Sequence, residues 1–284
     1  MYKVKVPATS ANLGSGFDVL GVALNIFNEY TFEVKPSFSL KGFHPKYLEF
    51  NKNLVLSSYK KAFEFLGEEP IPVEICEISK QIPRAGGLGS SAACAVSGIL
   101  GANLVMGGRL TVSEILQIAT KIDGHPDNVS ACVLGGLTAC QKQGEKIFAE
   151  KYNVSEDLNF LVCYPDFYVS TEMARSILPK TYERYKVVEN LSAIVNLPRA
   201  FESGNIELLK RSVKDNIHQP YRIELIEEGK LIFEKANSLG ACAVISGSGA
   251  TILVVSKGSV LSEFEKLETK RKWTFIDAKP YFGE

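Results

Sequence analysis

The chain has no excess of charge of either sign. Its 32 Lys and Arg balance 32 Asp and Glu over 284 residues. That excludes the basic field that draws a protein to nucleic acid or to an anionic membrane surface, and it excludes an acidic tail. Long apolar runs are lacking too: the longest, 92–106, is broken by Ser97, Gly98, Gly101 and Asn103. It falls short of the ~20 residues that span a bilayer and reads as a buried helix. The six cysteines include no C-x-x-C pair and lie mostly in apolar segments, so neither disulfides nor a zinc site is expected. Repeats and low-complexity tracts are missing. The first six residues alternate polar and apolar as a strand does, without the apolar core of a signal peptide. The expectation is a cytoplasmic protein whose partners are small molecules, with no nucleic acid and no membrane. Three Asn-x-Ser sequons, at Asn128, Asn153 and Asn190, carry no weight without secretion.

Glycine, by contrast, is concentrated at one place, Pro83-Arg84-Ala85-Gly86-Gly87-Leu88-Gly89-Ser90-Ser91-Ala92-Ala93. Three glycines in four positions allow torsions and close backbone approach that side chains forbid, and Ser90 and Ser91 suit a helix start. A helix beginning there turns free N–H groups and its positive dipole end toward the loop, so the stretch reads as a phosphate cradle. Walker A is excluded because Ser90 stands where that pattern needs Lys. Gly87 to Ala92 matches G-x-G-x-x-A, but the strand ending in an acidic residue that a dinucleotide fold requires does not follow. The competing reading is a tight turn entering a core helix.

A chain of this length suits two domains, and the polar, charged stretch 142–158 marks the boundary. The expected division is 1–150 and 151–284. In the first half, strands are expected at 2–6 and 30–34, with a turn at 7–18 too polar for the core and an irregular segment at 36–50. Asn53 caps a helix ending at Gly67, and a strand at 73–78 leads into the central loop and its helix. Thr111-x-x-Glu114 is a capping box that starts another helix. It ends at Asp123-Gly124-His125-Pro126-Asp127-Asn128, which is either a solvated turn or a site for Mg²⁺ and proton transfer.

The second half opens with an apolar strand at 160–164. Ser170 and Thr171 cap a short helix bearing Arg175, and helices follow at 186–201, 206–215 and 223–238. A polar loop at 216–222 carries Arg222. The two arginines are either surface charges or a bidentate clamp for a carboxylate. Strands at 241–245 and 251–255 flank Ser246-Gly247-Ser248-Gly249-Ala250, which is a plain hairpin loop or a second glycine-rich loop pressed on the first. A helix at 259–266 and a strand at 273–276 complete an α+β pattern.

In this order the motifs are recognisable. The early Pro7-Ala8-Thr9-Ser10-Ala11-Asn12-Leu13-Gly14-Ser15-Gly16-Phe17-Asp18, the central Gly87-Leu88-Gly89-Ser90-Ser91-Ala92-Ala93 and the late Ser246-Gly247-Ser248-Gly249-Ala250-Thr251 together resemble the GHMP kinase superfamily over essentially the whole chain. Within it, the early Ala11-Asn12-Leu13-Gly14-x-Gly16-Phe17-Asp18, Gly124-His125-Pro126-Asp127-Asn128, Ser170-Thr171-x-x-x-Arg175 and His218-Gln219-Pro220-Tyr221-Arg222 look like the homoserine kinase branch.

The resemblance implies a two-domain α+β fold with a ribosomal-protein-like N-terminal domain, a ferredoxin-like C-terminal domain and the active site between them; a homodimer is among the arrangements it implies. It further implies transfer of the γ-phosphoryl group of ATP to the hydroxyl of L-homoserine, with Mg²⁺. Pro83, Arg84, Ala85, Gly86, Gly87, Leu88, Gly89, Ser90, Ser91, Ala92 and Ala93 would wrap the triphosphate, with Asn53 near the adenine. Ser91 and Asp123 would serve the metal, although the family's usual residue at the latter place is Glu. Arg84 is given no catalytic role. Asn12 and Asp18 would meet the ammonium and hydroxyl, and Arg175 and Arg222, with Thr171, the carboxylate. Asp127 aligns with the base of other GHMP kinases, with Asn128 beside it as the alternative catalytic group. Rival readings are a mevalonate or shikimate kinase of the same superfamily, and a non-catalytic sensor built on its fold.

Overall fold

The computed structural model describes residues 1–84 and 86–283. Two sheets organise it. The first is built on a long strand β2 (Leu20–Val34), which has β1 (Tyr2–Ala11) along one edge. Along its other edge lie β4 (Val73–Lys80) and, nearer its start, β5 (Leu137–Gln143). The short β3 (Ser39–Lys41) runs parallel to β4, and β6 (Lys146–Tyr152) forms a hairpin with β5. Strand β1 extends past the expected end at Val6 through Ala11. Pro7, which has no N–H to donate, sits where the register shifts between Pro7 and Ala8. The 7–18 segment is therefore not a solvated turn: Thr9 and Ser10 are fully buried.

Four helices pack with this sheet: α1 (Leu54–Phe65), α2 (Ser90–Val105), α3 (Val112–Asp123) and α4 (Pro126–Leu134). The Asn53 cap and the Thr111/Glu114 capping box form as expected, with Asn53 Oδ1 accepting from the Leu56 amide at 3.0 Å. Helix α4 occupies what the sequence left as a polar cluster, because Pro126 at its first position needs no N–H partner. Helix α2 approaches its neighbours without side chains between them. A Cβ on Gly98 would lie 2.2 Å from the Val55 carbonyl oxygen, and one on Gly101 2.3 Å from the Phe32 ring.

The second sheet is antiparallel, in the order β10-β7-β9-β8. It comprises β7 (Leu158–Pro165), β8 (Cys242–Ile245), β9 (Ile252–Lys257) and β10 (Trp273–Ala278). Both faces are covered, which explains the apolar run of β7: Phe160 and Val162 join the core of the first sheet, while Leu161 and Cys163 belong to a second core. Around it lie α5 (Thr171–Ser176), α6 (Arg184–Ser203), α7 (Ile206–Ser212), α8 (Gln219–Arg222), α9 (Gly229–Ser238) and α10 (Leu261–Phe264).

The single helix expected at 223–238 is instead a 3₁₀ turn (Ile223–Leu225) followed by α9, and the loop expected at 216–222 contains the one-turn helix α8. The break has a cause: Glu228, at φ 62°, accepts from the amides of Lys270 and Arg271 at 2.6 and 2.9 Å and ties the helix start to the approach to β10. The stretch 142–158 holds β6, and the chain changes sheets between Tyr152 and Leu158. Beyond β10 it returns to the first sheet, where the Tyr281 amide donates to Ala23 O and the Gly136 amide to Tyr281 O. All six cysteines are free thiols, and among the described residues no helix is long and apolar enough to cross a membrane.

Candidate active site

Helix α2 begins at a corner that only glycine fits. Gly89 has φ 64°, and a Cβ there would lie 1.9 Å from Thr9 Oγ1 and 2.9 Å from Asn128 Oδ1. The Thr9 hydroxyl donates to Asn128 Oδ1 at 2.7 Å, so the corner rests on a partly buried polar pair. Gly89 is itself the N-cap and offers no side chain, which corrects the capping role expected of Ser90 and Ser91; these are the first helical residues. The free N–H groups of the first turn are thus left without a side-chain partner at the wall of a cavity of about 590 Å³.

Arg84, Gly86, Gly87, Gly89, Ser90, Ser91 and Ala92 line that cavity. Leu88 and Ala93 do not, because both side chains are fully buried in the core. Pro83 is likewise off the wall, and Ala85 lies outside the described residues.

The second glycine-rich loop joins β8 to β9, as a hairpin, and also presses on the first. Ser246 Oγ donates to Gly87 O at 2.6 Å and the Thr251 amide to Gly86 O at 3.2 Å. Gly87, at φ 84°, leaves no room for a Cβ, which would meet Ser246 O at 2.4 Å. Gly247 anchors this loop to the rest of the site. Its amide donates to Ala11 O, and its carbonyl accepts from Asn12 Nδ2 at 2.7 Å and Arg222 Nη1 at 2.9 Å.

Asn12, Asp18, Thr171, Arg175 and Arg222 line the same cavity. The Asn12 amide group is engaged at both its nitrogen and its oxygen, since its Oδ1 accepts from the Asp18 amide at 3.0 Å. Asp18 and Arg175 hold each other in a bidentate pair, at 2.7 and 3.1 Å. Both guanidinium groups lie over Phe17, Arg175 at 5.5 Å and Arg222 at 5.0 Å from the ring centre.

Arg222 is buried and donates from Nε to Ala174 O at 3.0 Å. Burial lowers its pKa to about 10, which leaves it cationic at neutral pH. Behind it His218 is fully buried, stacked on Phe17, and burial lowers its pKa to about 4. A neutral ring whose Nε2 lies 2.9 Å from Gly14 O donates there, leaving Nδ1 to accept from Arg222. The Asp215 carboxylate, 3.5 Å from this ring, is taken up by the amides of Ile217, His218 and Gln219.

Asp127 stands in the first turn of α4, where helix N–H groups favour its anion and Asn128 N donates to Oδ1 at 2.7 Å. Burial outweighs this. Only 3% of Asp127 is exposed, and its pKa is pushed up to about 7, with Asp18 and Asp123 adding to the effect. The solvated-turn reading of this segment fails for the same reason. Asp123 is also raised by burial, against a hydrogen bond from Ser91. Ser91 and Asp123 thus meet at the cavity wall as hard oxygen donors. Among the described residues no three of His, Cys, Asp and Glu gather as a ligand set, so a cation here needs phosphate and water oxygens to complete its shell, which suits Mg²⁺.

The far end of the cavity is apolar and aromatic, with Phe43, Tyr47, Leu54 and Val55. Asn53 is there, but its amide is occupied by the α1 cap and by Tyr47 O at 2.9 Å. Arg84 is equally committed: Nη2 lies 3.3 Å from buried Glu77, and the guanidinium sits 4.3 Å over the Tyr47 ring. Sequence reasoning missed Phe43 and Tyr47, and it quoted Thr9, Phe17, His218 and Gly247 within motifs without giving any of the four side chains or backbones a role of its own. Aromatic residues clustered in the supposedly irregular 36–50 stretch were the available signal for the first two.

Comparison with known proteins agrees with this geometry. Residues 53–136 match the family model of the GHMP kinases N terminal domain. A homoserine kinase of Clostridium botulinum (strain Langeland) is 40% identical, over 98% of this chain and 96% of its own. One of Clostridium acetobutylicum is also 40% identical, over 98% and 93%. The crystal structure of homoserine kinase from Cytophaga hutchinsonii superposes with a TM-score of 0.86 at 27% identity, covering 99% of this chain and 95% of that one. Helices and sheets alike follow the two-domain α+β fold of these kinases, and with that likeness running from one end to the other the chain belongs to the homoserine kinase family of the GHMP kinases.

Proposed function

We propose that the protein transfers the γ-phosphoryl group of ATP to the side-chain hydroxyl of L-homoserine, giving O-phospho-L-homoserine and ADP. The observation that carries this is one cavity shared by the α2 N-terminus, the Asp127–Asn128 turn and the Asp18–Arg175–Arg222 cluster. Anion, acceptor hydroxyl and zwitterion then lie within reach of one another, and phosphoryl transfer is mostly positioning and charge neutralisation.

In this reading the loop residues from Pro83 to Ala93 and the free N–H groups of α2 hold the triphosphate. Leu88, Ala93 and Pro83 act by shaping the backbone. Asn53 contributes the floor of the base end through packing. Ser91 and Asp123 would hold Mg²⁺, which when bound neutralises phosphate charge. Asp127, with its pKa near 7, accepts the hydroxyl proton, and Asn128, oriented by Thr9, directs the hydroxyl. Asn12 holds the Asp18 backbone, Asp18 meets the ammonium, and Arg175, Arg222 and Thr171 meet the carboxylate. The division into domains 1–150 and 151–284 is supported by the change of sheet between Tyr152 and Leu158. A cytoplasmic setting fits the free thiols, and a homodimer remains the assembly proposed by family likeness.

The test is a coupled ADP-release assay with Mg-ATP and, at equal concentration, L-homoserine, mevalonate, shikimate, L-serine and galactose. Marked preference for L-homoserine is expected. Preference for mevalonate or shikimate overturns the substrate, and silence with all five overturns the kinase reading.

A further inference from the structure

The charged groups expected to grip opposite ends of a zwitterion grip each other. Asp18 accepts both guanidinium N–H groups of Arg175, at 2.7 and 3.1 Å, and each side chain is 35% exposed, so the pair is reachable from the cavity yet partly desolvated. Neither partner's backbone is free to withdraw. Asp18 is pinned at φ 57° through its amide to Asn12 Oδ1. Arg175 sits on α5, whose Ala174 carbonyl accepts from Arg222. Its Nε is buried without a partner, so the outward face of the guanidinium is the part free to change hands. Arg222 has its Nε and Nη1 on Ala174 O and Gly247 O, so only Nη2 is left to offer and it cannot reproduce the two-nitrogen grip of Arg175 on Asp18.

We propose that the Asp18–Arg175 pair is a specificity device that singly charged molecules cannot open without loss and that a zwitterion opens by replacing both halves at once. The inference rests on the amino-acid reading given under Proposed function. A hydroxy acid that takes Arg175 strips Asp18 of its counter-ion and leaves that carboxylate unpaired. An amino alcohol that takes Asp18 leaves the Arg175 and Arg222 guanidinium groups, both over the Phe17 ring, without that counter-ion. The zwitterion exchanges one internal ion pair for two new ones, so no charge is left over. Discrimination then comes from the cost of opening the pair as well as from contacts to the substrate.

The experiment is calorimetric titration with a non-hydrolysable ATP analogue present, using L-homoserine, 4-hydroxybutanoate (no ammonium) and 3-aminopropan-1-ol (no carboxylate). The variants are Asp18→Asn, which suits the left-handed backbone at this position, and Arg175→Gln. In Asp18→Asn, L-homoserine is expected to weaken by more than tenfold while 4-hydroxybutanoate tightens by about three- to fivefold, the size of a half-exposed ion pair. Arg175→Gln mirrors this for 3-aminopropan-1-ol, so either variant alone suffices if the other does not fold. Unchanged or weaker binding of the singly charged ligands, or binding undetectable in wild type and variants alike, overturns the device and leaves Asp18 a simple contact. Wild-type turnover of L-homoserine is measured beside this; its absence sinks the substrate reading instead.

Discussion

Asp127 feels two opposed influences: the N-terminal turn of α4 favours its anion, and burial, which wins, favours its acid. With a pKa near 7 the proton-accepting form prevails only above neutrality. Under the proposed chemistry kcat/KM rises with pH through about 7 and then levels, and Asp127→Asn flattens the profile while lowering turnover by about 10²-fold or more. Near-normal turnover in the variant removes the base. The same shift bears on folding. An unfolded aspartate ionises near pH 4 and the folded one near 7, so stability contributed by the neutral form is complete below about 4 and lost as pH rises to about 7. Urea melts of Asp127→Asn should therefore gain on wild type across that window, by something on the order of a few kcal/mol. The sequence marked Asp127 through its motif with a role attached, yet Thr9, Phe17 and His218 stood in motifs with no role legible. Their partners Asn128, Arg222 and Gly14 are 119, 205 and 204 positions away, and a polar residue's burial depends on who satisfies it.

At the scale of elements, signals written in local chemistry were legible. The glycine corner into α2, the Thr111/Glu114 box and the β8–β9 hairpin each follow from a few adjacent residues. Elements decided by distant contacts were not: β1 runs on through Thr9 and Ser10 because β2 pairs with them, and the helix breaks before α9 because the Glu228 carboxylate accepts from the amides that lead into β10. Helix α2 offers a test in which two effects oppose each other. Gly98→Ala improves helix propensity by about 1 kcal/mol, but its methyl would stand 2.2 Å from the Val55 carbonyl oxygen, a backbone atom that cannot swing aside. Overpacking wins, and the variant should lose about 1–3 kcal/mol of stability in denaturant melts. A gain instead would mean that α1 and α2 can slide apart.

Taken whole, the molecule is two sheets joined through β7, whose alternate residues feed different cores. Chain length suggested two domains, but nothing local in the sequence announces that the chain beyond β10 returns to the first sheet. That return uses backbone bonds at Asn25, Ala23 and Gly136, with Tyr281 packed edge-on against Phe27 at 5.0 Å. Truncation after Ala278 is expected to lower Tm by roughly 5 °C or more in calorimetry, although none of the described residues lost, 279–283, lines the cavity.

The carbonyl of Gly247 has a thermodynamic consequence. It accepts from Asn12, which fixes Asp18, and from Arg222, while its own loop closes on Gly87 beside the phosphate cradle. Whatever one ligand does to still this carbonyl, the other need not do again, so the two should bind synergistically. Saturating L-homoserine is then expected to lower the Kd of a non-hydrolysable ATP analogue, and the analogue must lower that of L-homoserine by the same factor. A factor of one, read from either side, would leave two independent half-sites that merely share a wall.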